Sequence, residues 1–259
     1  MKIFLSAIEN NTLHLQEGNV LYEMIRDGKI KPLWNLMSYF YIWQKRCIDV
    51  AEFVRDNSEE ILIDSGAHSF QKGKKVDWLE YTMQYADFIQ KFDRPNVIGY
   101  FEMDVDNIIG YDKVLELRKI LMNVTDKIIP VWHKNRGIAE FKKMCQERAG
   151  KVVAITGFRN EDIQDHQYLL FLKEAKKHGC KVHCLGMTRK QVLDKVPFDY
   201  VDSSSWRLDI NYGKVCGRKV TRETTSMKGN WAYAIAANYQ HAMDMQRHYH
   251  AKWQSISRD

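Results

Sequence analysis

The 259-residue sequence contains no apolar run near the roughly 20 residues that a membrane-spanning helix needs. Its first residues, Met1 to Ser6, turn polar too early for a secretory signal. The five cysteines are scattered, which argues against a disulfide scaffold and is typical of a reducing compartment. These absences predict a soluble, cytoplasmic protein.

Several cofactor and metal motifs are also missing. No Gly-x-Gly-x-x-Gly follows the first strand-like run, which argues against a dinucleotide-binding sheet. That run also carries no pair of histidines one residue apart, a signal of metal-dependent barrel hydrolases. In the segment 178–184, Cys180 and Cys184 would lie about 13 Å apart on an extended strand, with His183 and Cys184 on opposite faces. We therefore predict neither a metal nor another cofactor.

The composition is that of an ordinary globular protein, with 45% hydrophobic and 28% charged residues. The net charge of +6 mildly favours a polyanionic partner. No linker or change in composition divides the chain, so we expect one domain over residues 1–259.

Strand-like and helix-like runs alternate along most of the chain. Seven strands are predicted, at 2–7, 60–64, 96–103, 127–132, 151–155, 181–185 and 198–201. Helices are predicted at 112–123, 138–148, 162–178 and 188–195, with another opened by the capping-box residues Asp77 and Glu80. This alternation predicts an α/β fold of the TIM-type (β/α)8 class, closed or irregular. The eighth strand is either 215–220 or part of the aromatic stretch 36–43, for which a helix is favoured.

Two helices carry stripes of apolar residues at helical spacing. The helix after Asp77 is expected to face the core through Leu79, Met83, Ala86 and Ile89. A long C-terminal helix, about 223–253, is expected to do so through Met227, Trp231, Ile235, Tyr239, Ala242, Met245 and Tyr249.

The predicted strands end in chemically active residues. In barrels of this class the catalytic groups lie at the C-terminal ends of the strands. Those positions are occupied by Asp64, Asp104, Asp106, His133, Thr156, Gly157, Gly186 and Asp202. A carboxylate at the end of a buried strand is costly unless it is paired or used. The sequence therefore predicts one pocket at which these ends meet.

Five motifs resemble those of tRNA-guanine transglycosylases, in that family's order over about residues 60–207. Asp64-Ser65-Gly66-Ala67 is similar to its Asp-Ser-Gly-Gly motif, and 101–104 to its Phe-Asp-Glu-Cys region. The segments 154–158 and 183–187 are similar to its Leu-Gly-Gly-Leu and Leu-Met-Gly-Val-Gly stretches. Phe198 to Ser203 resembles its Asp-Met-Phe-Asp-Cys motif.

The resemblance implies a role for each site residue. Asp202 would be the nucleophile that forms a covalent glycosyl intermediate, and Asp64 the general acid and base. The remaining base-binding positions would be Asp104, His133, Thr156, Gly157, Gly186, His68 and Phe70. Phosphate contacts are expected from the basic residues that follow the nucleophile, Arg207, Arg218, Lys219 and Arg222.

One departure changes the expected substrate. The family's zinc subdomain should follow Asp202, but only Cys216 lies there. A short chain without zinc resembles the phage and bacterial DpdA-like branch, which inserts 7-deazaguanine bases into DNA. The expected partners are thus DNA, or tRNA, and a free 7-deazaguanine; a homodimer is compatible with the sequence, and a phage-encoded chain would act in its host's cytoplasm. Three alternatives are left open. The first is a zinc-free tRNA-guanine transglycosylase, the second is a metal-dependent barrel hydrolase with Asp64, His133 and Asp202 as ligands, and the third is a non-catalytic nucleic-acid-binding protein on a decayed barrel scaffold.

Overall fold

A computed structural model describes residues 1–10, 12–70, 76–157, 163–220 and 231–256, and these form an α/β barrel of the TIM type. The strands are β1 (Lys2–Ser6), β2 (Trp34–Ser38), β3 (Glu60–Asp64), β4 (Val97–Phe101), β5 (Ile128–Ile129), β6 (Val131–Trp132), β7 (Val152–Thr156), β8 (Lys181–Leu185), β9 (Tyr200–Ser203), β10 (Lys214–Val215) and β11 (Arg218–Lys219). The α-helices are α1 (Val20–Arg26), α2 (Tyr39–Lys45), α3 (Ile48–Asn57), α4 (Trp78–Phe92), α5 (Asp106–Ile109), α6 (Tyr111–Met122), α7 (Gly137–Glu147), α8 (Tyr168–Lys177), α9 (Lys190–Leu193), α10 (Ser205–Asn211) and α11 (Trp231–Ile256).

The barrel closes through a strand that is interrupted by a proline. The sheet order is β5-β4-β3-β2-β1-β9-β8-β7-β6, and every neighbouring pair is parallel. The two terminal strands, β5 and β6, are consecutive in the chain and flank Pro130. The amide of Glu102 donates to the carbonyl of Ile129 at 3.0 Å, and that of Ala154 donates to the carbonyl of Pro130 at 2.9 Å. Residues 128–132 therefore act as one strand, which gives eight strand positions around the barrel.

The eighth strand is β2, at the start of the aromatic stretch. The prediction of a helix over 36–43 is correct only from Tyr39, because the chain leaves the sheet at Ser38, the N-cap of α2. All five residues of β2 are buried, so the strand lacks the alternation that marks a half-exposed one. The other candidate, 215–220, contributes only to the small hairpin β10–β11.

Most predicted strands and helices are confirmed with small shifts of their ends. The strand predicted at 198–201 begins and ends two residues later, so Asp202 lies inside β9 rather than after it. The polar region before β2 contains α1, and α3 precedes β3; neither helix was predicted.

The expected core face of α4 is partly wrong. The side chain of Asp77 accepts a hydrogen bond from the amide of Glu80 at 3.0 Å, as the capping pattern predicts. Leu79 and Met83, however, are exposed. The buried stripe is aromatic and is formed mainly by Tyr81, Tyr85, Phe88 and Phe92. Ala86 and Ile89 belong to the core as expected, so the helix is rotated relative to the prediction.

The C-terminal helix α11 packs along the barrel, from the C-terminal ends of the strands (the mouth) to their N-terminal ends (the base). Trp231 and Met245 of the expected stripe are exposed, and Met227 lies outside the described residues. Tyr239 and Tyr249 are fully buried, as expected. Near its C-terminal half, the side-chain amide of Gln246 donates to the carbonyls of residues 3 and 34, at 2.7 and 2.8 Å, where β1 and β2 begin. The first turn of α11 therefore lies towards the C-terminal ends of the strands.

The barrel interior is filled by aromatic and aliphatic side chains, among them Phe4, Leu62, Phe101 and Tyr200. Because the interior is filled, a substrate-binding site is expected at the C-terminal ends of the strands. Within the described residues, no helix is both long and apolar enough to cross a membrane.

Candidate active site

Two of the predicted carboxylates lie at the C-terminal edge of the barrel sheet. Asp64 is the last residue of β3, in register with Ser38 of β2. Asp202 is the third residue of β9 and is in register with Phe4 of β1. The sequence expectation that both acids face the barrel mouth is supported by their electrostatic contact: the charge of Asp202 acts on Asp64.

The carboxylate of Asp202 is held by three hydrogen-bond donors. Its Oδ1 accepts from the Gly186 amide at 2.9 Å and lies 3.0 Å from Nε2 of His183. Among the described residues, its Oδ2 accepts only from the Ser6 hydroxyl, at the longer distance of 3.3 Å. The two oxygens are therefore unequal, and Oδ2 is the one with capacity for a reacting partner.

His183 lies inside the barrel beneath Asp202. Its ring is fully buried and lies 5.0 Å from Phe101 and 6.2 Å from Phe4, centroid to centroid. The neighbouring Cys184 belongs to the layer between sheet and helices, so the two side chains point to opposite faces as expected. No zinc ligand cluster is found at 178–184 within the described part of the chain. His183 instead orients Asp202.

Asp64 has the most perturbed environment among the predicted catalytic residues. Burial, followed by the charges of Asp104 and Asp202, raises its pKa to about 7, against the hydrogen bonds of the Ser65 and Gly66 amides. A carboxyl group with a pKa near neutrality can both donate and accept a proton at physiological pH.

Gly66 is required by the packing next to Asp64. Its φ is +71°, in the left-handed region, and a Cβ atom there would lie 2.2 Å from Cβ of Phe40 and 2.6 Å from Oγ of Ser38. Only glycine fits such a close approach of two chains. The conformation directs the Gly66 amide at the carboxylate of Asp64.

Glu9 is a member of the site that the sequence reasoning missed. It follows β1 and is only 3% exposed, and its Oε1 accepts from the Ser38 amide at 3.0 Å. Its Oε2 and the hydroxyl of Ser38 are buried and have no hydrogen-bond partner in the described part of the chain. Burial raises the pKa of Glu9 to about 7, with a smaller contribution from the charge of Asp64. The sequence signal that could have identified Glu9 is its place as an acidic residue between two apolar residues, Ile8 and Leu13.

Asp104 and His133 form a pair on the other side of the mouth. Nε2 of His133 lies 2.6 Å from Oδ1 of Asp104. Burial lowers the pKa of His133, but its hydrogen bond to Asp104 and that residue's charge outweigh this effect, so the pKa is raised. The structure thus brings both predicted base-binding residues together, and the charge of Asp104 reaches Asp64.

A buried ion-pair network supports this pair from below. Arg136 donates to Oε1 of Glu102 at 3.1 Å and to Oδ2 of Asp106 at 3.0 Å, and Arg118 donates to the other oxygen of Glu102 at 2.5 Å. Burial alone would raise the pKa of Asp106, but Arg136 holds it below its usual value. Asp106 and Glu102 are therefore positioning residues in this network.

Asp104, Asp106 and His133 also offer ligand atoms within 4.8 Å of one another, a separation that could suit a metal ion. The guanidinium of Arg136 already contacts this group, at 3.0 Å from Asp106 and 3.5 Å from Asp104. The cationic charge that the carboxylates need is thus supplied by the protein. The set expected for a hydrolase, Asp64, His133 and Asp202, is not grouped in the described residues.

The amides of Gly157 and Gly186, two of the expected base-binding positions, already donate to acceptors within the protein. The amide of Gly157 donates to the carbonyl of Leu185 at 2.9 Å and continues the pairing of β7 with β8. It is therefore not free to bind a base carbonyl. Thr156 is the last residue of β7 and pairs in register with Leu185. Gly186 contributes through its amide, which binds Asp202 rather than a base.

Phe70 does not face the carboxylates. It packs against Phe40, Tyr81 and Trp78, with centroid distances of 4.6, 4.9 and 5.6 Å, and lines a cleft of about 540 Å³ between α2 and α4. Phe70 is the last residue of the short 3-10 helix Ala67–Phe70 that follows β3. The side chain of His68 lies outside the described residues.

The expected phosphate contacts divide into three kinds. Arg207 donates to the carbonyl of Asn10 at 3.0 Å and to the hydroxyl of Thr12 at 2.9 Å, so it holds the loop that carries Glu9 rather than facing solvent. Arg218 and Lys219 are exposed on β11. Arg222 lies outside the described residues.

Comparison with known proteins identifies the fold alone. No family model matches the chain, and no curated protein matches it. Among solved structures, the chain is similar to a Coccidioides immitis protein provisionally assigned as a fructose-1,6-biphosphate aldolase, with a TM-score of 0.55 and 13% identity over 95% of this chain and 89% of that one. This likeness agrees with the TIM-type barrel.

Proposed function

We propose that the protein is a base-exchange transglycosylase that replaces guanine in a nucleic acid, preferably DNA, by a 7-deazaguanine. The observation that carries the proposal is the pair of unlike carboxylates at one barrel mouth. Asp202 is oriented by three donors, and Asp64 has a pKa raised to about 7. Two such carboxyl groups suit a double displacement with a nucleophile and a separate acid and base.

In the first step, Oδ2 of Asp202 attacks C1′ of the target nucleotide. The C1′–N bond to guanine breaks as the C1′–O bond forms, and Asp64 gives its proton to the leaving base. His183 and the Gly186 amide remain on Oδ1, so the attacking oxygen keeps its direction.

In the second step, the incoming 7-deazaguanine gives an N–H proton to Asp64. Its nitrogen attacks C1′, and the bond to Asp202 breaks. The base returns to the same face of the sugar, and both carboxyl groups regain their starting states.

Recognition of the base is assigned to the Asp104–His133 pair. Asp104 accepts from the amino edge of a guanine-like base, as the resemblance implies, and His133 fixes the direction of its carboxylate. A nucleotide reaches this mouth only when it is out of the base stack, so the target is flipped or unpaired.

The direct test is incorporation of labelled guanine and 7-deazaguanine into single-stranded DNA, duplex DNA and tRNA. The wild type should label one of these, and Asp202→Ala should label none and form no covalent adduct. Asp244→Ala, on the exposed side of α11, is the matched control and should behave as the wild type. Full exchange by Asp202→Ala, or no labelling by the wild type, would end the proposal; labelling of tRNA alone would move the substrate to tRNA.

A metal-dependent hydrolase is the second candidate, because Asp104, Asp106 and His133 lie close together. Arg136 disfavours it by supplying charge to the same carboxylates. Metal analysis of the purified protein separates the two: a stoichiometric divalent ion that Asp106→Ala abolishes would favour the hydrolase.

A further inference from the structure

Three large aromatic side chains are exposed at the end of α10 and in the first turn of α11. Tyr212 is 71% exposed, Trp231 is 57% exposed and Tyr233 is 63% exposed. Tyr212 directly follows α10, and the other two lie in the first turn of α11. Burying rings of this size is favourable by a few kcal/mol each, so their exposure indicates a surface with a partner.

Contacts of Asn238 link α11 to α10 and to the β10–β11 hairpin that follows it. The Asn238 side chain donates to the carbonyls of Trp206 and Lys214, at 3.1 and 3.3 Å, and accepts from the Cys216 amide at 2.7 Å. It thereby fixes α10 and the β10–β11 hairpin against α11. Trp231 lies seven residues earlier, about 10 Å further along the helix axis towards the mouth. The same α10 follows β9, which carries Asp202.

The hairpin adds positive charge to the aromatic surface. Arg218 and Lys219 are exposed, and in the described part of the chain neither has an ion-pair partner. Lys214 is 4.0 Å from Asp209, the one acid that contacts the hairpin among the described ion pairs. Trp231 is seven residues from Asn238 and so lies on the same face of α11, whereas Tyr233 points about 200° away from Trp231 around the helix. The rim surface, formed by Tyr212, Lys214, Arg218, Lys219 and Trp231, thus combines exposed rings with cations.

We propose that the rim surface binds an unpaired stretch of the nucleic-acid strand that enters the site. Exposed rings next to cations are the means by which proteins hold single strands, since every base has a face to stack and every phosphate a charge. In a duplex the base faces are covered by their neighbours. The inference takes its substrate from the proposed function, but the binding needs no base exchange.

The chemistry at the mouth agrees with this partner. Moving the target nucleotide out of the stack uncovers the faces of the bases on either side. Rings at the rim would cover those faces again and offset part of the unstacking cost. The protein then favours a strand that is already unpaired over a duplex.

The test is fluorescence anisotropy with labelled oligonucleotides of about 16 nucleotides, measured without free base. Single-stranded DNA should bind the wild type at least about tenfold more tightly than duplex of the same sequence. Trp231→Ala and Tyr212→Ala should each weaken single-strand binding about tenfold, and Trp231→Phe should retain most of it. Removing Arg218 and Lys219 together should lower the slope of log affinity against log salt by about 1.4.

A control variant with Lys142→Ala and Lys143→Ala removes the same charge from the exposed face of α7 and should leave the affinity nearly unchanged. Single-stranded RNA of the same sequence distinguishes an RNA target from a DNA target. Wild-type affinity in both aromatic variants, equal or tighter binding of duplex, or no binding of any oligonucleotide would each overturn the inference. Labelling of nucleic acid by the wild type in those cases would leave the transglycosylase proposal standing.

Discussion

Two groups of carboxyl groups share the barrel mouth but are stabilised differently. On the side of β4 and β6, Glu102, Asp104 and Asp106 surround the guanidinium of Arg136. On the side of β1 to β3, Glu9 and Asp64 receive backbone amides, and no arginine donates to them within the described residues. The negative charge of the first group is compensated by the permanent positive charge of Arg136. In the second group, the raised pKa values favour protonation of Glu9 and Asp64 instead.

This difference bears on the pKa values of the carboxyl groups on the two sides of the mouth. Arg136 holds the pKa of Asp106 below its usual value, whereas burial raises the pKa of both Glu9 and Asp64 to about 7. Proton transfer needs a group whose pKa is close to the working pH. The proposed function therefore assigns the acid–base role to the half without arginine, and the positioning of the base to the other half.

Replacing Asp202 should have the largest effect on exchange. Asp202→Asn keeps the size of the side chain but removes the nucleophilic carboxylate, so we expect exchange to fall by at least about 10⁴-fold. Single-turnover assays with labelled base measure it. Unchanged oligonucleotide binding would show that the loss is chemical; a loss below tenfold would contradict the assignment.

Replacing Asp64 tests the group of carboxyl groups that has no arginine partner among the described residues. The wild type should form its covalent adduct more slowly as pH rises through about 7, because Asp64 loses the proton that the leaving base requires. Asp64→Asn should slow adduct formation by about 10² to 10⁴-fold and remove this fall above pH 7. The measurement is the rate of adduct formation as a function of pH, with Asp244→Asn as the control. If Asp64→Asn showed the same fall in rate at high pH, that fall would belong to the titration of another group.

Replacing Arg136 tests the group of carboxylates that surrounds its guanidinium. Arg136→Met leaves Glu102 and Asp106 buried with less compensation, so we expect the free energy of unfolding to fall by about 3–5 kcal/mol. Denaturant unfolding measures it, with Arg247→Met on the exposed face of α11 as control. Stability like that of the control would show that the network is not needed for folding.

Glu9 is expected to produce the smallest effect, visible only in the pH dependence of stability. Its pKa rises from 4.5 to about 7 on folding, so the folded state binds the proton more tightly than the unfolded state. The resulting stabilisation is complete below pH 4.5 and is lost as pH rises through 7. Glu9→Gln should therefore gain stability over the wild type between pH 5 and 8, by about 3 kcal/mol.

Thermal or denaturant unfolding at several pH values tests this prediction. The exposed Glu59→Gln should show no such change with pH. Part of the wild-type pH dependence should remain in Glu9→Gln, because Asp64 titrates in the same range. Identical curves for Glu9→Gln and the wild type would place the Glu9 pKa near its ordinary value.

The positions of Asp64, Asp104, His133 and Asp202 could be predicted because each follows or ends a short buried run. Parallel strands present their C-terminal ends at one edge, so residues that end such runs meet without further information. The same reasoning predicted that His183 and Cys184 point to opposite faces, because side chains alternate along a strand.

Other features depend on contacts between distant segments. Glu9 lies beyond a turn at Ala7, whose φ is +71°, in a region without periodicity. The insertion of Arg136 among three acids joins residues about 30 positions apart. The Gly157 amide is occupied because of the exact register of β7 on β8, which no local pattern records. Sequence reasoning found the residues at the mouth but not which of their atoms are already bonded.

The position of β1 has a consequence for the biosynthesis of the protein. This strand, residues 2–6, pairs with β9 near residue 200, and the carbonyl of Ile3 accepts from the side chain of Gln246. Residues 2–6 must therefore wait on the ribosome until these later residues have been translated. At about 5–20 residues per second, that delay is on the order of ten seconds or more. An unpaired first strand during this interval is a natural substrate for chaperones, and closure of the barrel is expected to be a post-translational event.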